Sequence, residues 1–140
     1  MTTTFHADVV SAEGEIYSGQ VEMLVAPAEF GEVGILPRHA PFISFIQPGE
    51  IRLKLEGNED WEHVYVSGGM LEVQPHVTTV LADTAMRAKD LDEAAALEAK
   101  ARAEEALVNK RADFDYARAQ AELAEAVAQL RIIQKLRKSV

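Results

Sequence analysis

Hydrophobic and polar positions alternate along this 140-residue chain with two different periods. Up to about Thr84 the period is two. Ile51, Leu53 and Leu55 alternate with Arg52, Lys54 and Glu56, as residues of a half-buried strand do. Val21, Met23 and Val25 repeat the pattern, and Val77, Thr79 and Leu81 do so against Thr78 and Val80. Turn-forming residues punctuate these runs at Glu13-Gly14, Ser18-Gly19, Gln47-Pro48-Gly49, Gly57-Asn58 and Gln74-Pro75. Short strands recurring every ~8–12 residues between such turns predict an antiparallel sandwich or barrel.

From Asp90 onward the period becomes 3.6. Asp90-Leu91-Asp92-Glu93 has the form of a capping box, with Asp90 as N-cap and Glu93 at N3, and predicts a helix over about 91–108. Asn109-Lys110-Arg111-Ala112 reads as a short connection, and Asp113 is placed to cap a second helix over about 114–136. Two helices joined so tightly predict an antiparallel hairpin. All 8 glycines and all 5 prolines lie at or before Pro75. The chain therefore divides into a β region, 1–86, and a helical hairpin, 87–140.

The apolar stripe of the second helix, Tyr116, Leu123, Val127, Leu130 and Ile133, is thin. Between Ala88 and Ala128, 15 of 41 residues are alanine, which favours helix formation but buries little per turn. Two readings fit: a hairpin packed permanently on the β region, or one whose docking is weak enough to exchange partners. Periodicity does not separate them.

The net charge of −9 disfavours nucleic acid and anionic lipid as partners. Its distribution adds more. Residues 1–86 carry 13 acidic and 3 basic side chains, a balance of −10, while residues 87–140 carry 10 and 11, a balance of +1. Arg131, Lys135, Arg137 and Lys138 close the chain with no acid among them. Such a run either offsets the dipole of the last helix or anchors an acidic partner surface. The absence of cysteine removes disulfides and thiol chemistry and suits a reducing compartment. No apolar run approaches the ~18 residues of a membrane span, and Met1-Thr2-Thr3-Thr4 is unlike a signal or transit peptide, so a cytosolic chain is expected.

Candidate chemistry is sparse. Lys138-Ser139 has no glycine-rich stretch before it, which excludes a phosphate loop, and no dinucleotide fingerprint occurs. His6, His39, His63 and His76 stand singly, without the spacing of a zinc site, so no metal is expected. His39 beside Arg38, with Glu32 and Ser44 near in sequence, reads as a polar loop rather than a catalytic cluster. Glu104-Glu105, Asp113 and Asp115 belong to helix caps and solvated faces. The expectation is an interaction protein with no catalytic residue.

Four stretches carry a resemblance. They are Asp8-Val9-Val10-Ser11-Ala12-Glu13, Gly31-Glu32-Val33-Gly34-Ile35-Leu36-Pro37-Arg38-His39-Ala40-Pro41, Tyr65-Val66-Ser67-Gly68-Gly69-Met70-Leu71-Glu72-Val73, and Val80-Leu81-Ala82-Asp83-Thr84-Ala85. In this order and spacing they resemble the epsilon subunit of the bacterial F-type ATP synthase over the whole chain. The chloroplast homologue is also similar, but the start of the chain fits a bacterial protein. The resemblance implies a ten-stranded antiparallel β-sandwich followed by a two-helix hairpin. It implies a non-catalytic rotor subunit of the central stalk, peripheral on the cytoplasmic face of the bacterial inner membrane and held there through the complex. The sandwich would bind the gamma subunit and the c-ring, with Gly31, Glu32, Gly34, Pro37, His39 and Pro41 forming the loop at that interface.

In this family the hairpin is regulatory. Folded down it permits activity; extended along gamma it reaches the alpha and beta subunits and blocks ATP hydrolysis. Arg131, Lys135, Arg137 and Lys138 match its basic tip, and Ala85, Met86, Arg87, Ala88 and Lys89 match its hinge. Many members also bind one ATP, unhydrolysed, through an Ile/Leu-Asp-x-x-Arg-Ala motif, and the alternative reading is an ATP-sensing module whose hairpin nucleotide locks down. Here Leu91-Asp92-Glu93-Ala94-Ala95-Ala96 puts Ala95 where the motif has arginine. With no guanidinium there for phosphate, the expectation is no tight ATP ligand. Arg87 and Arg102 are the nearby guanidinium groups of this degenerate site.

Overall fold

The computed structural model describes residues 3–57, 59–109 and 113–138. Strand β1 (Phe5–Ser11) shows why the first part forms a sheet: buried Phe5, Ala7 and Val9 alternate with half-buried His6, Asp8 and Val10. There follow β2 (Gly14–Ala28), β3 (Gly31–Ile35), β4 (Phe42–Ile46), β5 (Gly49–Leu55), β6 (Trp61–Val66), β7 (Gly69–Val73), β8 (Val77–Ala82) and β9 (Ala85–Arg87). The strand order is β1-β8-β7-β4-β2-β5-β6-β9, with β3 on β2 and a further β1–β2 pairing that folds the sheet back on itself. A single apolar core results, built on Val9, Leu24, Ile35, Ile51, Leu53, Leu71 and Val80 among others.

Two details correct the expected ten-stranded antiparallel sandwich. The described residues form nine strands, because the 15-residue β2 runs unbroken through four pairings, with β1 through Gly14–Val21 and with β5, β3 and, at Ala28, β4 farther along. A register shift between Val21 and Met23 breaks the ladder there. It also changes the phase: Val21 is buried, Met23 only half-buried, and Leu24, Ala26 and Ala28 face inward. The pair β1–β8 is parallel.

β8 is phased opposite to the expectation. Thr78, Val80 and Ala82 are buried, whereas Leu81 is 51% exposed. Both faces of Val77–Ala82 carry apolar or β-branched residues, so alternation alone does not choose between them. Pairing chooses: Val80 lies opposite Leu71 of β7 and Val9 of β1, both core residues. Gly69 is fixed by the same packing. Its φ is +140° and a Cβ there would lie 2.1 Å from the Leu81 carbonyl oxygen.

The chain divides into two compact units between Ala88 and Lys89. The sandwich extends past residue 86 because Ala85, Met86 and Arg87, expected as hinge, form β9 against Val66, Tyr65 and Val64 of β6. A short 3-10 turn, Ala88–Asp90, follows. In the second unit α1 spans Glu93–Asn109 and α2 Asp113–Lys138. The cap of α1 is Asp92 rather than Asp90: Asp92 Oδ1 accepts from the Ala95 N–H at 3.2 Å. Asp90 is used in the preceding turn, which moves the helix start two residues later.

The buried face of the hairpin is mostly alanine. Ala96 and Ala103 of α1, and Ala119 and Ala126 of α2, are each spaced by seven and buried, with Leu130 and Ile132 beyond them. Tyr116 of the expected stripe is exposed, and Leu123, Val127 and Ile133 are half-buried. Small side chains let the two helices approach closely, and the larger apolar groups flank the seam instead of filling it.

Candidate functional site

Gly31, Glu32 and Gly34 lie on strand β3 rather than in the expected loop, while Pro37, His39 and Pro41 lie in the segment that follows it. The β2–β3 connection is the two-residue turn Glu29-Phe30, after which Gly31 takes a φ of +132°. The turn is braced on both sides. The Glu29 N–H donates to Ser44 Oγ (3.3 Å), and Gln47 Nε2 donates to the Glu29 carbonyl (2.9 Å). Phe30, at the tip, is 95% exposed.

Glu32 is not a free acid at a loop tip. Arg52 of β5, twenty residues away, donates to it through Nη2 at 2.7 Å. The next turn has proline second and a positive φ third: the His39 N–H donates to the Leu36 carbonyl (3.2 Å), around Pro37 and Arg38 (φ +64°). The Arg38 N–H is tied to the Pro75 carbonyl at 3.1 Å. His39 Nδ1–H donates to the Ala40 carbonyl at 2.7 Å, and its ring meets Phe42 edge-on at 6.4 Å. Glu32, His39 and Ser44 thus have separate local partners and form no joint site.

A larger feature had escaped the pattern reading. Phe45 of β4 is the register partner of Met70 of β7, Met70 of Leu81 of β8, and Leu81 of Val10 of β1. Direct partners face the same side of a sheet, so these residues form one apolar row across four strands. Phe45 is 61%, Met70 38% and Leu81 51% exposed, and Ile43, one step along β4, is 67% exposed. Beside the row, Asp8 accepts from Ser18 Oγ (2.6 Å) and from His6 Nε2 (2.8 Å). The Ser18 hydrogen bond, with help from His6, holds the Asp8 carboxyl below its ordinary pKa of 3.8 against the opposing effect of burial. The one sequence signal of the row was the apolar run Phe42-Ile43-Ser44-Phe45-Ile46, which leaves β4 no polar face.

The basic end of the hairpin is partly engaged. Arg137 pairs with Glu93 in the first turn of α1, an acid that only the antiparallel hairpin brings near. Arg131 joins Lys100, Val127, Leu130 and Gln134 around a shallow cleft of about 240 Å³. Lys135 and Lys138 occupy the last turn of α2, where cations offset the helix dipole.

The candidate nucleotide residues are drawn to other tasks. Asp92 caps α1, and Leu91 precedes it in the short segment before the helix. Arg87 Nη1 donates to Glu62 (2.5 Å) and Nη2 to the Ile16 carbonyl (2.9 Å), both within the sandwich. Arg102 pairs along its own helix with Glu98, more than two turns beyond Asp92. Among the described residues no group of three or more histidines and acids is placed to hold a metal.

A β-sandwich with an uncovered apolar row, joined to an alanine-seamed helical hairpin with a cationic end, defines a class of subunit built to dock rather than to catalyse. The comparisons with known proteins make the class particular. The ATP synthase delta/epsilon chain β-sandwich family model matches residues 4–88, and the corresponding long alpha-helix domain model matches residues 89–134. The chain is 64% identical to the ATP synthase epsilon chain of Thioalkalivibrio sulfidiphilus over 99% of its length and 98% of the relative's. It is 66% identical to that of Nitrosococcus oceani, over 100% and 99%. Its fold is shared with a chain of the Euglena gracilis mitochondrial ATP synthase, solved with the c-ring, at a TM-score of 0.82 and 16% identity over 91% of this chain and 80% of that one. The chain belongs to the ATP synthase delta/epsilon family, as an epsilon-type subunit with no catalytic centre of its own. No helix among the described residues is long and apolar enough to cross a membrane, and the chain is membrane-associated through the complex.

Proposed function

We propose that this chain is the central-stalk rotor subunit that couples proton flow through the c-ring to ATP synthesis. Its sandwich docks on gamma through the row Phe45, Met70, Leu81 and Val10, and on the c-ring through the β3 region and the loop carrying Pro37, His39 and Pro41. The complex places it on the cytoplasmic face of the bacterial inner membrane. The observation that carries the reading is the exposed apolar row, since a protein surface leaves such a face uncovered mainly where a partner covers it. Supporting it, the Tetrahymena thermophila structure of similar fold (TM-score 0.64, 9% identity, 94% of this chain and 98% of that one) is a mitochondrial ATP synthase central stalk with c-ring.

The hairpin acts as a brake on ATP hydrolysis: its helices separate from the resting arrangement, and Arg131, Lys135, Arg137 and Lys138 meet an acidic surface of the beta subunit. ATP does not set the brake tightly. Ala95 brings no charge to the motif, Asp92 is used as a helix cap, and Arg87 is held by Glu62 and Ile16.

The docking is tested by pulling down gamma with Met70→Glu and Leu81→Glu variants. Both side chains are substantially exposed, so the fold should survive. Loss of gamma from a folded variant supports the assignment; undiminished capture of gamma by both removes it.

A further inference from the structure

We propose that Phe30 is the apolar anchor by which the sandwich seats on a c-ring loop, and that Glu32 contributes little to that contact. The inference rests on the c-ring reading given under the proposed function and names the side chain that would supply its binding energy.

Three observations converge on the Glu29-Phe30 turn. A two-residue hairpin turn normally carries glycine, asparagine or aspartate, and here it carries an aromatic ring that is 95% exposed. An isolated exposed apolar residue needs no explanation, but a phenylalanine in this position gains nothing for the fold. The turn is also rigid. The Glu29 amide is held by Ser44 and its carbonyl by Gln47, and the Gln47 N–H reaches the Pro27 carbonyl at 2.9 Å. An anchor held in place before binding avoids the ordering cost that a flexible loop incurs. Finally, the adjacent acid is already used. Glu32 accepts from Arg52 at 2.7 Å, so a basic loop offered to it would compete with an intramolecular partner.

The occupant is a protein loop rather than lipid. Residues 1–86 carry 13 acidic and 3 basic side chains, a balance of −10 that repels an anionic headgroup layer. Phe30 is also continuous in the chain with Gly31 and Glu32, the β3 residues assigned to the c-ring.

The test uses the full-length chain assembled with gamma, titrated onto detergent-solubilised c-ring at low and high salt. Phe30→Ala should weaken association about tenfold or more, the scale of losing a buried aromatic side chain, and equally at both salt concentrations. Phe30→Leu should retain most of the affinity, while Glu32→Gln should change it less than about threefold. Gln47→Ala should weaken binding when Phe30 is present and add nothing to Phe30→Ala, because it acts only by positioning the ring. Near-wild-type affinity of Phe30→Ala, or a steep salt-dependent loss with Glu32→Gln, overturns the anchor while leaving the c-ring reading intact. Binding of the wild-type assembly to phosphatidylcholine/phosphatidylglycerol nanodiscs without c-ring, lost in Phe30→Ala, also overturns it by making lipid the occupant. Failure of the wild-type assembly to bind c-ring at all removes the reading beneath it.

Discussion

Arg87 of β9 donates to Glu62 of β6 at 2.5 Å and, with its other terminal nitrogen, to the Ile16 carbonyl of β2 at 2.9 Å. This clamp fastens the last strand to the sheet just before the chain leaves the sandwich. It gives both terminal nitrogens of Arg87 a structural task within the sandwich.

Replacing Arg87 with alanine is therefore expected to lower the stability of the sandwich by about 1–2 kcal/mol, a modest figure because both partners are a quarter to a third exposed. Chemical denaturation measures it. A chain ended after Thr84, which loses all of β9, should be less stable than one ended after Ala88, and equal midpoints would show that β9 contributes nothing.

Thr78 is fully buried in β8, and its hydroxyl has no hydrogen-bond partner among the described residues. Valine has nearly the same shape without the polar atom. Thr78→Val should leave stability unchanged or raise it by up to about 1–2 kcal/mol, since it removes an unsatisfied buried group. A large loss on denaturation would reveal a partner for the hydroxyl.

The Asp8 carboxyl is held below its ordinary 3.8, first by Ser18 and then by His6. Because the folded pKa is the lower one, the unfolded chain takes up the proton first as pH falls. The Asp8 contribution is fully present above the unfolded value and is lost as pH drops from there through the folded value. Asp8→Asn should thus cost stability near neutrality and progressively less in acid. Parallel denaturation curves for the two proteins at every pH would contradict this.

The nucleotide reading has its own check. Backbone amides of Leu91–Ala96 should not shift at millimolar ATP, whereas Ala95→Arg returns a guanidinium to the motif and should produce measurable shifts if the remaining residues suffice. Tight ATP binding by the wild-type chain would overturn the proposal that nucleotide does not set the hairpin.

The division into a sheet and a hairpin was legible in the sequence because glycine, proline and the apolar period all change between Pro75 and Asp90. The family was legible in the Gly31–Pro41 stretch. What escaped was everything that depends on partners distant in sequence. Leu81 looked like a core residue until pairing with Leu71 and Val9 put Val80 inside. Glu32 looked free because Arg52 lies twenty residues away and becomes its neighbour only once β3 and β5 flank β2. The cationic tail looked unopposed until the antiparallel helices brought Glu93 to Arg137. Phe30 gave no signal at all, because its exposure follows from the two-residue turn that the β2–β3 pairing sets.

The central claim is a docked sandwich carrying a removable brake, and the direct measurement is ATP hydrolysis and ATP-driven proton pumping by the synthase assembled with a chain ended after Ala88. That cut keeps the Arg87 clamp and removes both helices. The account predicts faster hydrolysis with pumping retained, and a partial, salt-sensitive version of the same increase when Arg131, Lys135, Arg137 and Lys138 are neutralised together. Unchanged hydrolysis on removal of the hairpin would contradict the brake, and loss of pumping would contradict the assignment of coupling to the sandwich.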